Sequence, residues 1–458
     1  MDHGDAGPRV RLLISPSAGL GRAATGRLAR RARCRTYSSQ VPRLCDTRSC
    51  RHAPGHEFVR DPDLAGLVVG IRALNIDDLR RLARRRLPRG IFEYIDRGAE
   101  DEIGLKRLRQ AFDAVIWNPR VLVDVSEVNL STTVLGKELP LPIAVAPTAA
   151  AGLVWHEGEI ALARAAARAQ IPFCIATESI TEMERITAEA GGQAWFQLYL
   201  WKDRALSYAL VERARAAGIE TLILTADTVV SPNREYNVRN GFAVPIRASL
   251  RGGYDILTHP RWVLNVLLKY ARSGGMPLCQ HYPPEHRVKI TRQKASERVK
   301  LAADIRWDEL EKLRRLWRGK LILKGVLHPE DAKKAADAGA DAIVVSCHGA
   351  RNLDGAIPPL WALPSIVEAV GSRLEVIADS GIRRGTDILK LLAMGARSVL
   401  VGRATLYGTA VAGEAGASHA LDLLRKEMAT ALAFLGCPKV AQLDRAFVAE
   451  GRGFEERP

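Results

Sequence analysis

The chain has no CxxC pair and no Cys/His set at zinc-ligand spacing; its seven cysteines are scattered through 458 residues. That excludes a zinc-ribbon or disulfide-framework fold and predicts reduced thiols in a reducing compartment. Cys174, in an apolar run, and Cys437, near the C-terminus, read as structural. No apolar run approaches the ~20 residues of a membrane-spanning helix. Lysine is absent from the first seventy residues, and acids are absent from Ala6 to Cys45. What fills that region is arginine without a helical or strand period. Arg27 to Ser39 has the Arg/Ser-rich, acid-poor look of a transit peptide. The missing periodicity favours a disordered extension over residues 1–70, or a start codon placed too far upstream. A second basic stretch, residues 246–300, holds eleven basic residues against three acids. These two segments carry most of the net charge of +16, so the remainder is near neutral and a nucleic-acid-binding reading is excluded.

Organised sequence begins at Asn75-Ile-Asp-Asp-Leu, a polar cap followed by apolar residues at helical spacing. Pro88 restarts a second helix, Arg89 to Arg97, in which Tyr94 reads as a packing residue. From residue 140 onward, apolar runs alternate with amphipathic helices. The predicted strands are 143–149, 173–177, 194–199, 221–227, 321–325, 342–346, 375–381 and 398–404. Helices are predicted between most of them, for example over 158–170, 204–218 and 385–395. Eight successive βα units predict a (β/α)8 TIM barrel with N-terminal helices and an active site at its C-terminal face. The rhythm breaks over residues 228–320, too long for a simple crossover, which predicts an insert (243–300) between strand 4 and helix 4. The barrel is assigned to residues 71–445 and a tail to 446–458.

Each predicted strand ends in a polar or turn cluster: Pro147-Thr148-Ala149, Ala176-Thr177, Gln197-Leu198-Tyr199, Thr225-Ala226-Asp227, Lys324-Gly325, Ser346-Cys347-His348, Asp379-Ser380-Gly381 and Gly402-Arg403. Polar side chains are costly inside a barrel core, and here they gather where each strand runs out. His348 can accept a proton near neutral pH. Arg351, three residues on, can fork onto a carboxylate. The Gly- and Arg-containing turns Asp379 to Gly385 and Gly402-Arg403 follow strands seven and eight, where this fold commonly binds phosphate.

These residues resemble the FMN-dependent α-hydroxy-acid dehydrogenase/oxidase family from about residue 75 to about 445. The matching stretches include Tyr94 with GAEDE, PRVLVDVS (119–126), WFQLY (195–199), LTADT (224–228), LILKG (321–325), SCHGARNLD (346–354), DSGIRRG (379–385) and GRATLYG (402–408). The resemblance, nearest in look to the (S)-mandelate dehydrogenase branch, implies FMN and oxidation of an (S)-2-hydroxy acid, mandelate- or lactate-like, to the 2-oxo acid. It implies His348 as base, Asp227 as partner of the imidazolium, Arg234 and Arg351 on the substrate carboxylate, and Tyr94 and Tyr199 on the substrate. Lys324 would sit beside the flavin N1/O2 edge. Pro147, Thr148, Ala149, Gln197, Thr225, Asp379, Gly381, Arg383, Gly402 and Arg403 would bind FMN, with Ser346 and Ser380 beside them. Four positions depart from the family pattern, one of them Asn352, which replaces the Gln that follows the base. Ala176 replaces a flavin-contacting Ser, for which Thr177 is the expected substitute; Cys347 replaces the Asn before the base; Glu178 stands where a small or aromatic pocket residue is usual.

The insert combines an apolar stretch, Trp262 to Leu268, with scattered Lys and Arg. That composition suits either an anionic membrane surface or a mobile lid with a solvated basic face. The membrane reading implies a peripheral enzyme on the inner face of the membrane that passes electrons to quinone. The alternatives are an oxidase using oxygen and a flavin-binding paralogue with altered or lost activity. The resemblance also implies a homotetramer.

Overall fold

The computed structural model describes residues 71–242, 250–287 and 296–449; the expectations for residues 1–70 fall outside them. Eight parallel strands close into a barrel in the order β10-β3-β4-β5-β6-β7-β8-β9. They are β3 (Ile143–Val145), β4 (Phe173–Ala176), β5 (Ala194–Leu198), β6 (Thr221–Thr225), β7 (Lys320–Val326), β8 (Ala342–Val345), β9 (Glu375–Ala378) and β10 (Ser398–Val401). Helices lie between successive strands, as the periodicity predicts. Most strands stop one to four residues earlier than predicted, because their polar ends leave the ladder and turn over the barrel mouth. The eighth ends at Val401, and Arg403 already opens the helical segment Arg403–Leu435, which is broken by non-helical backbone at Ala412 and Gly413.

Alternation along the strands puts Cys174, Trp195, Ile223, Ile322, Val344, Ile377 and Leu400 inside the barrel. A hairpin of β1 (Thr132–Val134) and β2 (Lys137–Leu139), absent from the sequence reading, packs Val134, Leu135 and Leu139 onto that layer. The lower half of the barrel is therefore filled mainly with apolar side chains, with Thr221 and Ser398 buried at its floor, and the polar side chains that line the cavity stand at the C-terminal end.

Asn75 caps the first helix, Ile76–Arg86, by accepting the Asp78 N–H at 2.8 Å. The second helix, Arg89–Asp96, is pinned by Asp96. This buried carboxylate takes a bidentate pair from Arg80 (2.6 and 2.7 Å) and the Tyr407 hydroxyl at 2.6 Å. Residues 94–97 are thereby held over the barrel mouth. At the other end, Phe447 is buried and Val448 pairs with Trp117, so residues 447–448 pack on the body of the protein; residues 450–458 of the expected tail lie outside the described residues.

The insert follows β6. Within it, Trp262 is buried and donates its indole N–H to the Leu153 carbonyl at 2.8 Å, and Val266 is buried too. The stretch 262–268 is therefore not a uniform outward patch: half of it anchors the insert to the barrel. Tyr254, Leu257 and Leu264 are the large apolar residues of the segment that face outward. Further along, residues 279–282 dock on the end of β4: His281 Nδ1 lies 3.0 Å from the Ala176 carbonyl, and Tyr282 packs edge-on against Trp201.

Candidate active site

The inward face of each strand continues upward by two residues. Above Trp195 stands Gln197, above Ile223 Thr225, above Ile322 Lys324, above Val344 Ser346, above Ile377 Asp379, and above Leu400 Gly402. Strand period alone thus turns separate motifs into one polar layer. A cavity of about 1040 Å³ opens above it, lined by Pro147, Thr148, Ala149, Gln197, Thr225, Lys324, Asp379, Ser380, Gly381, Arg383, Gly402 and Arg403 on one side. Tyr94, Tyr199, Arg234, His348, Arg351 and Glu178 line the rest. In the sequence reading Tyr94 is a packing residue; its ring does pack, 5.5 Å from Phe242 and under Arg351, but it also forms cavity wall.

His348 sits where the backbone leaves β8 through three consecutive positive φ values: His348 (54°), Gly349 (65°) and Ala350 (57°). Left-handed backbone is disfavoured for side-chain-bearing residues and concentrates where function demands a side-chain direction. At Gly349 a Cβ would come within 2.5 Å of the Arg403 guanidinium, so this turn needs glycine. The result places His348 Nδ1 2.8 Å from Asp227 Oδ1. Asp227 is itself accommodated by Gly325, whose missing Cβ would lie 2.6 Å from the Asp227 Cβ. With Nδ1–H donated to Asp227, Nε2 is left as the basic atom, 3.5 Å from the Tyr199 hydroxyl.

Burial pushes the His348 pKa below its usual value, and Asp227 offsets only part of that. The imidazole is therefore neutral near pH 7. Burial alone would raise the Asp227 carboxyl. The charges of His348 and Lys324, with hydrogen bonds from His348 and Thr228, outweigh it and hold the group at about 2. Burial, and then Asp227, raises the Tyr199 phenol, which stays a neutral donor.

Lys324 Nζ donates to Ser346 Oγ at 2.7 Å and pairs with Asp379 Oδ2 at 3.1 Å. Burial would lower its pKa, but Asp379 and Asp227 outweigh burial and keep it charged. Arg234 and Arg351 are neighbouring cations: burial first, then Arg351, lowers Arg234. Arg351 is aimed by donating to the Tyr94 carbonyl (2.6 Å) and the Arg97 carbonyl (3.2 Å). Two like charges lining a cavity without an anion between them form a receptor for a carboxylate.

Two predicted cofactor contacts are corrected. Thr177 does not line the cavity: its hydroxyl donates to the Gln197 carbonyl (2.7 Å) and accepts from the Tyr199 N–H (3.0 Å), so it cannot replace the missing Ser. Ser346 is fully buried, and its Oγ is taken by Lys324 and by the His348 N–H at 3.1 Å. It positions those two residues. Arg403 lines the cavity, but its guanidinium is tied to the carbonyls of Ile95, Gly349 and Arg97. Arg383 is the cation with spare hydrogen-bonding capacity there, its guanidinium stacked on the Tyr407 ring at 5.0 Å. Cys347 packs with Leu108 and Ala350.

The sequence reading missed Thr228, Asn352 and Tyr282 as members of the site. Thr228 Oγ1 donates to Asp227 Oδ1 (3.0 Å) and accepts from Asn352 Nδ2 (2.7 Å). Asn352 also donates to the Asp227 carbonyl at 2.9 Å. Both lie within the quoted motifs, so proximity to Asp227 and His348 was the available signal. Tyr282 gave none.

The residues fit a flat, phosphorylated ligand. Gln197 Nε2 and Thr225 Oγ1 are buried in the polar layer with no hydrogen-bond partner among the described residues. At the opposite end burial, then Arg351 and Arg383, push Arg403 down to about 10 against the opposing pull of Tyr407 and Asp96, so three arginines cluster there. A closed barrel, buried polar atoms without partners among the described residues, an arginine cluster and a His–Asp pair thus share one cavity. The family profile for FMN-dependent dehydrogenases matches residues 83–450, and the chain belongs to that family. It is an FMN flavoprotein acting on a CH–OH group. It is 40% identical to an (S)-mandelate dehydrogenase of Pseudomonas putida, over 81% of this chain and 92% of that one. It is 43% identical to an L-lactate oxidase of a Nostoc species, over 82% and 98%. A crystal structure of a monotopic membrane (S)-mandelate dehydrogenase superposes with a TM-score of 0.77 at 38% identity, covering 83% of this chain and all of that one.

Proposed function

We propose that this enzyme oxidises an (S)-2-hydroxy acid of mandelate or lactate size to the 2-oxo acid, with His348 as the base. The observation that carries this reading is the convergence of the His348–Asp227 pair and the two arginines, Arg234 and Arg351, on one cavity. Arg234 and Arg351 bind the carboxylate and neutralise it, which makes removal of the adjacent proton less unfavourable. His348 Nε2 accepts the substrate proton, and Asp227 stabilises the resulting imidazolium in a site sheltered from water. Tyr199 and Tyr94 donate to the bound acid and orient it. FMN, when bound, would supply the two-electron acceptor, with a quinone or another molecule as the final acceptor. Gln197 and Thr225 would hold its ring system, Lys324 would compensate negative charge there, and Arg383 with the backbone of Gly381 and Gly402 would hold its phosphate.

The exposed Tyr254, Leu257 and Leu264, beside basic residues of the insert, support a peripheral membrane position and a quinone acceptor. The similarity to a monotopic relative supports the same reading. A homotetramer on the inner face of the membrane belongs to this proposal. The likeness to an L-lactate oxidase favours oxygen as the second choice of acceptor. Anaerobic mixing with (S)-mandelate, (S)-lactate and glycolate tests the reading. Loss of the flavin's visible absorbance with one of them supports it, and readmitting air separates oxidase from dehydrogenase. An FMN-loaded protein that no 2-hydroxy acid bleaches overturns it.

A further inference from the structure

Glu178 is a titratable side chain of the cavity that the proposed reaction does not use. Glu178 lines the wall on the β4 side, and its charge reaches Tyr199, whose phenol it helps to raise. Its position is set from two directions. Its own carbonyl accepts the Ala150 N–H at 3.2 Å, and its carboxyl meets the insert. There the Tyr282 hydroxyl lies 2.9 Å from Oε1 and 3.1 Å from Oε2, and Cys279 Sγ lies 3.9 Å from Oε2. Among the described residues no Lys or Arg pairs with it. A carboxylate has about four acceptor sites. One phenol proton and one weak thiol donor fill at most two, and the cavity side is open.

We infer that Glu178 reads the substrate's side chain, and that the enzyme prefers 2-hydroxy acids carrying a second hydroxyl group there. This rests on the proposed reaction and names its substrate class. The acid end of such a molecule occupies Arg234 and Arg351, which leaves its far end facing the Glu178 wall. A hydroxyl there donates to a buried carboxyl that protein donors satisfy only in part. A hydrocarbon end would bury Glu178, whose carboxyl pKa burial raises, without a further partner. The insert supplies Tyr282 and Cys279, so it shapes specificity as well as surface.

The test uses substrate pairs differing by one hydroxyl: glycerate and lactate, 2,4-dihydroxybutyrate and 2-hydroxybutyrate, 4-hydroxymandelate and mandelate. Anaerobic flavin bleaching by any of them establishes the reaction, independently of which is preferred. The inference predicts that in at least one pair the hydroxylated acid has a kcat/KM about 10- to 100-fold higher, and that Glu178→Ala abolishes the gap. Tyr282→Phe, which removes the phenol donor and keeps the ring on Trp201, should widen it. Dissociation constants of the corresponding 2-oxo acids, read from flavin spectral shifts, should follow the same order. Bleaching with no hydroxyl preference in any pair overturns the inference. So does a preference that survives Glu178→Ala or, where that variant does not fold, one that Tyr282→Phe leaves unchanged. Absence of bleaching throughout overturns the proposed reaction instead.

Discussion

His348 Nδ1 and Asp227 Oδ1 lie 2.8 Å apart although 121 positions separate them in the chain, while Asp227 Oδ2 is buried without a hydrogen-bond partner among the described residues. That arrangement leaves His348 Nε2 as the proton acceptor. His348→Gln should retain FMN, because the residue holds none of the polar layer beneath it. Turnover should fall by about 10²- to 10⁴-fold, as for loss of a general base. Steady-state kinetics on the FMN-loaded variant decide it; near-normal kcat would remove His348 from the role.

The pH profile of kcat/KM follows from the direction of the His348 shift. The base works when neutral, and burial lowers its pKa, so activity should stay full at neutrality and fall only below the usual histidine value of about 6.5. Asp227→Asn removes the charge that pulls the pKa back up. The acid limb should then move to still lower pH while kcat drops, because the imidazolium loses its counter-charge. A limb displaced toward higher pH would contradict this pairing.

Arg234→Met removes a cation from the carboxylate receptor and leaves the Arg351 anchors to Tyr94 and Arg97 in place. It should raise KM and lower kcat/KM by about 10²-fold, for a charged hydrogen-bonded partner lost from a buried site. Arg351→Met should do the same and also loosen Tyr94, whose ring lies under the guanidinium. An unchanged KM in both variants would place the substrate carboxylate elsewhere.

Arg383→Ala should weaken FMN by about 10- to 100-fold, seen by titrating apoprotein against flavin fluorescence. The fold should hold, since the guanidinium stacks only on Tyr407 while the Arg383 backbone N–H keeps its bond to Asp387 at 2.8 Å. Unaltered affinity would leave the phosphate to backbone N–H groups alone.

Replacing Tyr254, Leu257 and Leu264 together with Ser should release the enzyme from membrane fractions while its turnover with a soluble acceptor persists. Trp262 and Val266, which anchor the insert, are untouched in that variant. Unchanged fractionation would reduce the segment to a pocket wall.

The amino-acid sequence by itself determined the barrel and most of the site. Alternating β-branched runs and helical periods dictate eight βα units, and the period of two carries Gln197, Thr225, Lys324 and Asp379 onto one inward face. Strand ends are the least legible positions, because polar residues that close a strand and those that open a loop look alike in one dimension. Thr177 and Ser346 stand as ligand contacts through the family resemblance, which does not say where their side chains turn. Only the fold shows that one is turned onto Gln197 and Tyr199, and the other under Lys324 and His348. Tertiary structure alone decided the contacts made across long sequence gaps. Asp96 against Arg80 and Tyr407, the hairpin beneath the barrel, and Tyr282 against Glu178 depend on where segments meet in space. No local period or propensity encodes such meetings. They follow from closing the barrel, which brings its first and last strands together and gives the insert a surface on which to dock.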